Sequence, residues 1–337
     1  MKRQITIGIV APSSVVPKVE LGLGIKRLLS EGFQVKAHTQ CKKAHLFFAG
    51  RDEERAAAFL EFAYNDDIDV IWCARGGHGS LRLLSLFDQT AARKGAPRRK
   101  LLVGYSDSTA LMEYVRKNWG WSILHAPMPS LRKFSILPEH EWEPMIQWIQ
   151  KETPLHPWGK QKLKFWTRPP LTPLEGELVG GNLTVWNCLS GTEYEPSSCG
   201  KLLFLEEIDE PLYKIDRMLC QLSLSKGFPG VKGVLLGGFL NCKDYAPSVL
   251  KSVPVRKKTI ENPKASELKP LRKIYPELAG LKAIFQDWGD RAKIPVAFGL
   301  PVGHGPEFSS LPLGARYRLS PNGKWELLTW DWTSDAT

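Results

Sequence analysis

Short apolar runs and helical patterns alternate along the first third of the chain. The runs ITIGIVAP, FQVKAH, IDVIWCA and KLLVG predict four strands. Apolar residues at 21–29 predict a helix that ends at Gly32, and Asp52 offers the N-cap of a second helix. The stretches SLRLLSLF and STALMEYVRK predict two further helices. Because strands alternate with helices, the pattern predicts an α/β domain with a parallel sheet and helices on both faces.

The pattern changes in the middle of the chain. Residues 131–170 mix prolines, tryptophans and charges, which predicts a linker between a domain over 1–130 and a second domain over 171–337. The tryptophans suit either the packing of that linker or a sugar-stacking platform, and we favour packing. The second domain is expected to be rich in strands, since alternating residues on both sides of Asn322–Gly323 predict a hairpin.

Two loops, ARGGHGS and GYSDS, follow predicted strands directly and should share the edge of the sheet where ligands collect. In GYSDS, Ser106 has small residues two positions before and after it, which is the steric requirement of a nucleophile elbow. The match is partial, because Ser108 stands where the hydrolase motif has glycine. A serine or aspartate that caps the following helix explains the stretch equally well.

The glycine loop ARGGHGS lacks the spacing of a phosphate-binding loop or a dinucleotide fingerprint. Backbone amides of Gly76 and Gly77 could instead face an oxyanion beside the serine, together with the amide of Asp107. A plain strand-to-helix turn is the alternative.

A serine nucleophile needs a base, and the base needs an orienting carboxylate. His304 has glycines on both sides, in a loop suited to presenting an imidazole, whereas His78 lies in the glycine loop and His125 in LHAPM. Glu206 ends an apolar run, where a carboxylate is costly without a partner. The alternative for Glu206 is the first residue of an acidic surface turn, EEIDE.

Bulk composition narrows the classes of function. Hydrophobic residues make up 43% and charged residues 24% of the 337, as in a globular protein, and no apolar run approaches a membrane span. The N-terminal stretch makes a poor signal peptide, because its short apolar run carries Gly8 and Pro12, and we expect a cytoplasmic protein. The six cysteines show no metal-ligand spacing, so that we expect neither a metal nor another cofactor.

The net charge of +11 raises the question of an anionic partner. The densest basic segment, residues 250–276, contains prolines and no aromatic residue before Tyr275. We interpret it as a solvated loop rather than a nucleic-acid site, since such sites interleave aromatic and basic residues. An anionic small substrate is a third possibility.

Taken together and in order, eight stretches resemble the LD-carboxypeptidase family of serine peptidases, which includes muramoyltetrapeptide carboxypeptidases and microcin C self-immunity peptidases. These stretches are IGIVAPSS, FAGRDEERAAAFL, ARGGHGSLRLL, GYSDSTAL, LHAPM, GGNLTVWNCLSGT, LFLEEIDEPLYKIDRML and PVGHGPEFSSLPLGA. The resemblance runs from about residue 5 to about residue 320.

The resemblance implies a Ser–Glu–His triad, with Ser106 as nucleophile, Glu206 as orienting carboxylate and His304 as general base. The oxyanion donors would be the backbone amides of Asp107 and Gly77. The family fold implied is a Rossmann-like N-terminal domain with a smaller, β-rich C-terminal domain, commonly as a homodimer. The nucleophile and its base would then come from different domains and meet in the cleft between them.

Two positions depart from the family's pattern. His78 stands where tyrosine is usual, and we expect it to contact substrate or to be structural rather than to replace His304. Ala126 stands where glycine is usual, which we interpret as a minor packing change. Arg75 is a candidate for binding a substrate carboxylate through paired hydrogen bonds, although a fixed structural ion pair explains it as well.

The activity implied is removal of the terminal D-alanine from murein tetrapeptides, through an acyl-enzyme and without a metal, in murein recycling. One alternative is the same chemistry on an acyl-sulfamoyl nucleotide of the microcin type, which aromatic residues placed to stack on a nucleobase would favour. The other is a non-catalytic module that binds a wall peptide or a small anion, which leaves the three triad positions unexplained.

Overall fold

A computed structural model describes residues 4–155, 157–158, 162–243 and 277–334, so the basic segment 250–276 lies outside the described residues. The predicted alternation of strands and helices in the first third of the chain is confirmed. The elements are β1 (Thr6–Val10), α1 (Lys18–Ser30), β2 (Gln34–Ala37), α2 (Asp52–Ala63), β3 (Val70–Cys73), α3 (Leu84–Lys94), β4 (Leu101–Gly104), α4 (Thr109–Trp119) and β5 (Ser122–His125).

These five strands form a parallel sheet in the order β5–β4–β3–β1–β2. Every residue of β1, β3, β4 and β5 is buried, which is the pattern of a sheet covered on both faces. A sixth strand from the far end of the chain, β11 (Leu311–Leu313), adds to β5 in the antiparallel direction. The C-terminal part of the chain therefore returns to the edge of the first sheet, beside the strand that ends in His125.

The second half of the chain contains a seven-stranded sheet, in the order β13–β12–β7–β8–β9–β10–β6. Strands β7 to β10 are parallel to one another, and the others are antiparallel to their neighbours. The elements are β6 (Lys164–Phe165), β7 (Leu174–Asn182), α6 (Leu183–Leu189), β8 (Leu202–Ile208), α7 (Leu212–Leu224), β9 (Gly233–Leu240), α8 (Glu277–Ala292), β10 (Val296–Gly303), β12 (Arg316–Leu319), β13 (Trp325–Thr329) and α9 (Asp331–Ser334).

The two-part α/β fold with a strand-rich second part is confirmed, although that part also contains helices α6, α7 and α8. The predicted hairpin is β12 and β13, and the turn between them contains Gly323 with a φ of +80°. In the described part of the chain, no helix combines the length and apolar character needed to span a membrane.

Residues 131–170 contain helix α5 (Glu139–Ile149) as well as β6. The four tryptophans of this stretch are buried, with at most 8% of any side chain exposed, and they pack against aromatic, arginine or other core side chains. They are Trp142, Trp148, Trp158 and Trp166. This agrees with packing rather than with a sugar-stacking platform. The division of the chain into domains at 130 and 171 stays a prediction.

Polar contacts join the two halves beside helix α4. The Thr109 hydroxyl, at the start of α4, accepts a hydrogen bond from the backbone N–H of Asn182 at 3.1 Å. About two turns further along α4, the Arg116 guanidinium lies between the carboxylates of Glu113 and Glu177. Because α4 begins three residues after Ser106, these contacts fix the stretch that carries the serine relative to the second sheet.

Candidate active site

Ser106 lies at a sharp turn between β4 and α4 and has a φ of +61°. This left-handed conformation is costly for a residue with a Cβ, and such strain is typical of nucleophile elbows. Ser106 is also the one residue of 100–115 that is not buried. The chain therefore holds the serine in an unfavourable conformation in which it reaches solvent.

The Ser106 hydroxyl makes no hydrogen bond to any described residue, so that it is not a helix cap there. Ser108 instead donates from its hydroxyl to the carbonyl of Tyr105 at 2.7 Å. The elbow tolerates Ser108 in place of glycine because its side chain is buried against Gly104, where an added Cβ would lie 2.6 Å from the Ser108 oxygen. The small residue needed for close approach is Gly104.

The glycine loop packs directly against the serine. A Cβ added to Gly76 would lie 3.1 Å from Cβ and 3.2 Å from Oγ of Ser106, so only glycine fits there without displacement. Gly77 has a φ of +106°, and an added Cβ would lie 2.2 Å from the Ser14 hydroxyl oxygen. The loop backbone thus runs beside the Ser106 oxygen. That the amides of Gly77 and Asp107 bind an oxyanion stays a prediction.

The side chain of Asp107, which the sequence suggested only as a possible helix cap, connects three loops. Its Oδ2 accepts hydrogen bonds from the Ser13 hydroxyl at 2.5 Å and from the Ser80 backbone N–H at 2.8 Å. The Ser80 hydroxyl donates to the Asp107 carbonyl. These bonds tie the elbow to the loop after β1 and to the end of the glycine loop.

Arg75 and His78 lie on either side of the two glycines. The Arg75 guanidinium donates from Nη1 to the Val15 carbonyl at 2.6 Å, and no carboxylate of the described residues lies within ion-pair distance of it. His78 is exposed, and its ring centroid is 6.0 Å from that of the half-exposed Phe47. The fixed ion pair offered as the alternative for Arg75 is therefore not found in the described part of the chain.

Glu206 and His304 form an ion pair between a fully buried carboxylate and a largely buried imidazole. Oε2 of Glu206 accepts hydrogen bonds from Nδ1 of His304 at 2.6 Å and from the His304 backbone N–H at 2.9 Å. Glu206 is fully buried in β8, and His304 follows β10 directly. Gly303 makes this approach possible, since an added Cβ would lie 2.6 Å from Cβ of Glu206. The glycine that precedes His304 in the sequence is therefore needed because the Glu206 side chain packs against it.

The electrostatics of this pair suit a histidine that acts as a base. Burial opposes the charged form of both side chains, but the mutual attraction and hydrogen bonds outweigh it. The pKa of Glu206 is therefore held below its usual value, and the pKa of His304 is raised above its own. Nε2 of His304 makes no hydrogen bond to a described residue and is the nitrogen left to take up a proton.

Glu207 is also buried, which excludes the acidic surface turn as an account of this position. Its carboxylate accepts hydrogen bonds from Nδ2 of Asn182 at 2.8 Å and from the backbone N–H of Thr184 at 2.7 Å. Burial and the neighbouring Glu206 raise the pKa of Glu207. Since Asn182 also bonds Thr109, Glu207 belongs to the contact that holds the two halves in register.

Tyr105 connects the elbow to the Glu206–His304 pair. Its ring centroid is 4.8 Å from that of His304, and Tyr105 precedes Ser106 in the chain. No hydrogen bond joins Ser106 to His304 in the described structure. Such bonds are often long before substrate binds. The structure therefore links the Glu206–His304 pair to Ser106 through the neighbouring Tyr105, while the roles of the three residues stay predictions. The part of the chain that the structure describes contains no cluster of three or more histidine, cysteine or acidic side chains suited to a metal.

A two-part α/β enzyme with a strained serine after a parallel strand and a glutamate–histidine pair is the class that this fold and site define. The chain belongs to the LD-carboxypeptidase family. The model of the family's N-terminal domain matches residues 7–126 and that of its C-terminal domain matches residues 175–319. The protein is accordingly a hydrolase, a serine-type carboxypeptidase.

Individual relatives agree with this assignment. The "Probable murein peptide carboxypeptidase" of Bacillus subtilis is 30% identical over 323 residues, which cover 94% of this chain and 88% of that protein. The solved muramoyltetrapeptide carboxypeptidase of Oxalobacter formigenes is 29% identical with a TM-score of 0.70, covering 95% of this chain and 98% of the other. The structure of MccF in complex with glutamyl sulfamoyl guanosine has a TM-score of 0.71 at 21% identity, covering 98% of each chain, which shows the fold alone.

Proposed function

We propose that this protein removes the terminal D-alanine from murein tetrapeptides through an acyl-enzyme on Ser106. The observation that carries the proposal is the position of Ser106, strained at a φ of +61° and packed against Gly76, directly after Tyr105, whose ring contacts His304 of the Glu206–His304 pair. Murein peptides as the substrate class are supported by relatives that are named as murein peptide or muramoyltetrapeptide carboxypeptidases.

The reaction proceeds in two halves. In the first, Nε2 of His304 takes the proton of the Ser106 hydroxyl as Oγ attacks the carbonyl carbon before the terminal D-alanine. The amides of Gly77 and Asp107 stabilise the resulting oxyanion, and Glu206 holds Nδ1–H of the imidazolium. Collapse of this tetrahedral intermediate breaks the C–N bond, and His304 gives its proton to the leaving amine. Water, deprotonated by His304, then attacks the ester and releases the tripeptide and Ser106.

Arg75 is the side chain that we assign to the substrate's terminal carboxylate. Its Nη1 is anchored on the Val15 carbonyl, and the guanidinium carries further N–H groups with no described carboxylate near them. A carboxypeptidase needs such a cation, because the C-terminal carboxylate distinguishes its substrate from an internal peptide bond. His78 is exposed in the same loop and its ring lies near that of the exposed Phe47, and we expect the rest of the substrate to contact both side chains.

The alternative substrate, an acyl-sulfamoyl nucleotide, would need an aromatic surface for the base. The tryptophans of residues 142–166 do not offer one, since all four are buried. We therefore favour the murein peptide.

We also propose a cytoplasmic location, a role in murein recycling and a homodimer. All six cysteines are free thiols, which suits a reducing compartment. The homodimer rests on the resemblance to the family alone.

The proposal is tested by mass spectrometry of a tetrapeptide that ends in D-alanine, incubated with the wild type and with Ser106→Ala. A glutamyl-sulfamoyl nucleotide is incubated in parallel. Loss of one alanine residue from the peptide with the wild type alone is the expected result. Cleavage of the nucleotide with an intact peptide would replace the substrate assignment, and cleavage of neither would favour a binding module.

A further inference from the structure

We propose that His125 is a positioning residue for Glu206, as the hydrogen-bond donor to the carboxylate oxygen that His304 leaves free. The inference rests on the proposed function, because it concerns the same triad. It adds a second histidine to the proposed triad of Ser106, His304 and Glu206.

His125 lies against the face of β8 that carries Glu206. Residues at positions i and i+2 of a strand share a face, so that Phe204 and Glu206 point to the same side of β8. The His125 ring is 5.2 Å from the Phe204 ring, centroid to centroid, and 5.8 Å from that of Tyr105, which in turn contacts His304. His125 ends β5 and is fully buried. Its ring is therefore enclosed beside the triad.

Both partners of the proposed bond have polar atoms without partners. Neither ring nitrogen of His125 makes a hydrogen bond to a described residue, and neither does Oε1 of Glu206. All three atoms are buried. A buried polar atom that is left unpaired destabilises the folded state, so nearly all such atoms are paired in proteins. A donor and an acceptor enclosed on one face of β8 can satisfy each other directly or through one buried water.

The charges around His125 suit a neutral donor. The titratable groups that act on it are Glu206 of β8 and His304 after β10, and the Tyr105 hydroxyl belongs to the neighbouring ring. Burial lowers the pKa of His125 to about 4, against the opposing effect of Glu206. The imidazole is therefore uncharged near neutral pH and has one N–H to donate. Donation to Oε1 fixes the carboxylate while Oε2 holds His304.

A role in packing alone predicts the opposite response to mutation. The ring neighbours of His125 are Phe204, Tyr105 and Phe308. In such surroundings His125→Phe would remove two unpaired nitrogens and keep the ring, so that a packing role predicts an active, more stable variant. The proposed role predicts a folded variant with an impaired triad.

The first measurement is the rate at which a fluorophosphonate probe labels Ser106 in the wild type, His125→Phe and His125→Gln. We expect His125→Phe to label about ten- to a hundredfold more slowly, as for loss of a hydrogen bond to a charged group, and His125→Gln, which keeps an N–H, to recover most of the rate. In a Glu206→Gln background, His125→Phe should have little further effect. Phe308→Leu is the matched control, because it disturbs the same rings without removing a polar atom.

Labelling of His125→Phe at the wild-type rate, or equal effects of His125→Phe in both backgrounds, would overturn the inference. A second measurement does not depend on His125 variants folding. In protein with ¹⁵N-labelled histidine, the His125 ring should appear neutral at pH 7, with an N–H resonance that moves in Glu206→Gln. An unchanged resonance would also overturn it. If Ser106 of the wild type is not labelled at all, the proposed function fails, while the resonance still tests the His125–Glu206 bond.

Discussion

Glu206 and His304 are joined twice through a single oxygen, since Oε2 of the carboxylate accepts from both the ring Nδ1–H and the backbone N–H of His304. The ring bond orients the imidazole so that Nε2 is the nitrogen available for proton transfer. The backbone bond fixes the loop that carries the ring. The fully buried carboxylate of Glu206 thus defines both the tautomer and the position of the base, His304.

Replacing Glu206 by glutamine should abolish most of the activity without unfolding the protein. The amide keeps the shape but loses the charge, and its NH₂ group can favour the wrong tautomer of His304. We expect kcat for tetrapeptide hydrolysis to fall by about 10⁴, as for other triads that lose their carboxylate. Circular dichroism provides the folding control. A fall of less than tenfold would show that Glu206 does not orient the base.

The pH dependence of Ser106 labelling should report the ion pair. The base must be unprotonated to accept the serine proton, and the pKa of His304 is raised above 6.5 by Glu206. Labelling should therefore be slow at low pH and rise with pH, with its midpoint above 6.5. In Glu206→Gln the midpoint should move to lower pH. A midpoint near 4 in the wild type would instead indicate His125, whose pKa is lowered to about 4, as the base.

The contact between Gly303 and Glu206 can be separated from backbone strain by a pair of substitutions. Both Gly303 and Gly299 have positive φ, at +93° and +112°, but an added Cβ meets Glu206 only at Gly303 and has open space at Gly299. Both alanine variants should lose about 1–3 kcal/mol of stability from backbone strain. Only Gly303→Ala should in addition lose kcat, by at least about tenfold. Equal kcat values in the two variants would contradict the importance of this contact.

The strained backbone of Ser106 predicts a difference between two inactive variants. Ser106→Ala and Ser106→Gly both remove the hydroxyl, but glycine adopts a φ of +61° without steric cost. Ser106→Gly should be more stable by about 1 kcal/mol in denaturant unfolding, since the left-handed conformation costs other residues about 1–2 kcal/mol. Equal stabilities would show that the elbow is not strained.

Much of the first half was predictable because its signals are local. Buried parallel strands show up as short apolar runs, and Gly32, with a φ of +82°, ends its helix as predicted. The second helix begins at Asp52, one residue earlier than predicted, since Arg51 rather than Asp52 is the N-cap. In the second half, helices α6 and α7 lie between parallel strands in stretches that the pattern did not assign.

Contacts between distant parts of the chain were harder to predict from the sequence. Glu207 lies among charged residues in the sequence, which is typical of a surface position. In the folded chain its carboxylate instead accepts hydrogen bonds from Asn182, at the end of β7, and from Thr184, in α6. The Asp107 carboxylate bonds Ser13 and Ser80, which no spacing rule connects. Such partners are set by which strands become neighbours, and a single sequence does not encode that order locally.

The most direct test of the central claim is a rapid-quench digest of protein mixed with tetrapeptide, analysed by mass spectrometry. The account predicts a tripeptidyl ester on the peptide that contains Ser106, formed at a rate no slower than the release of D-alanine, and absent from Ser106→Ala. Release of D-alanine by Ser106→Ala at the wild-type rate, with no ester on either protein, would contradict it.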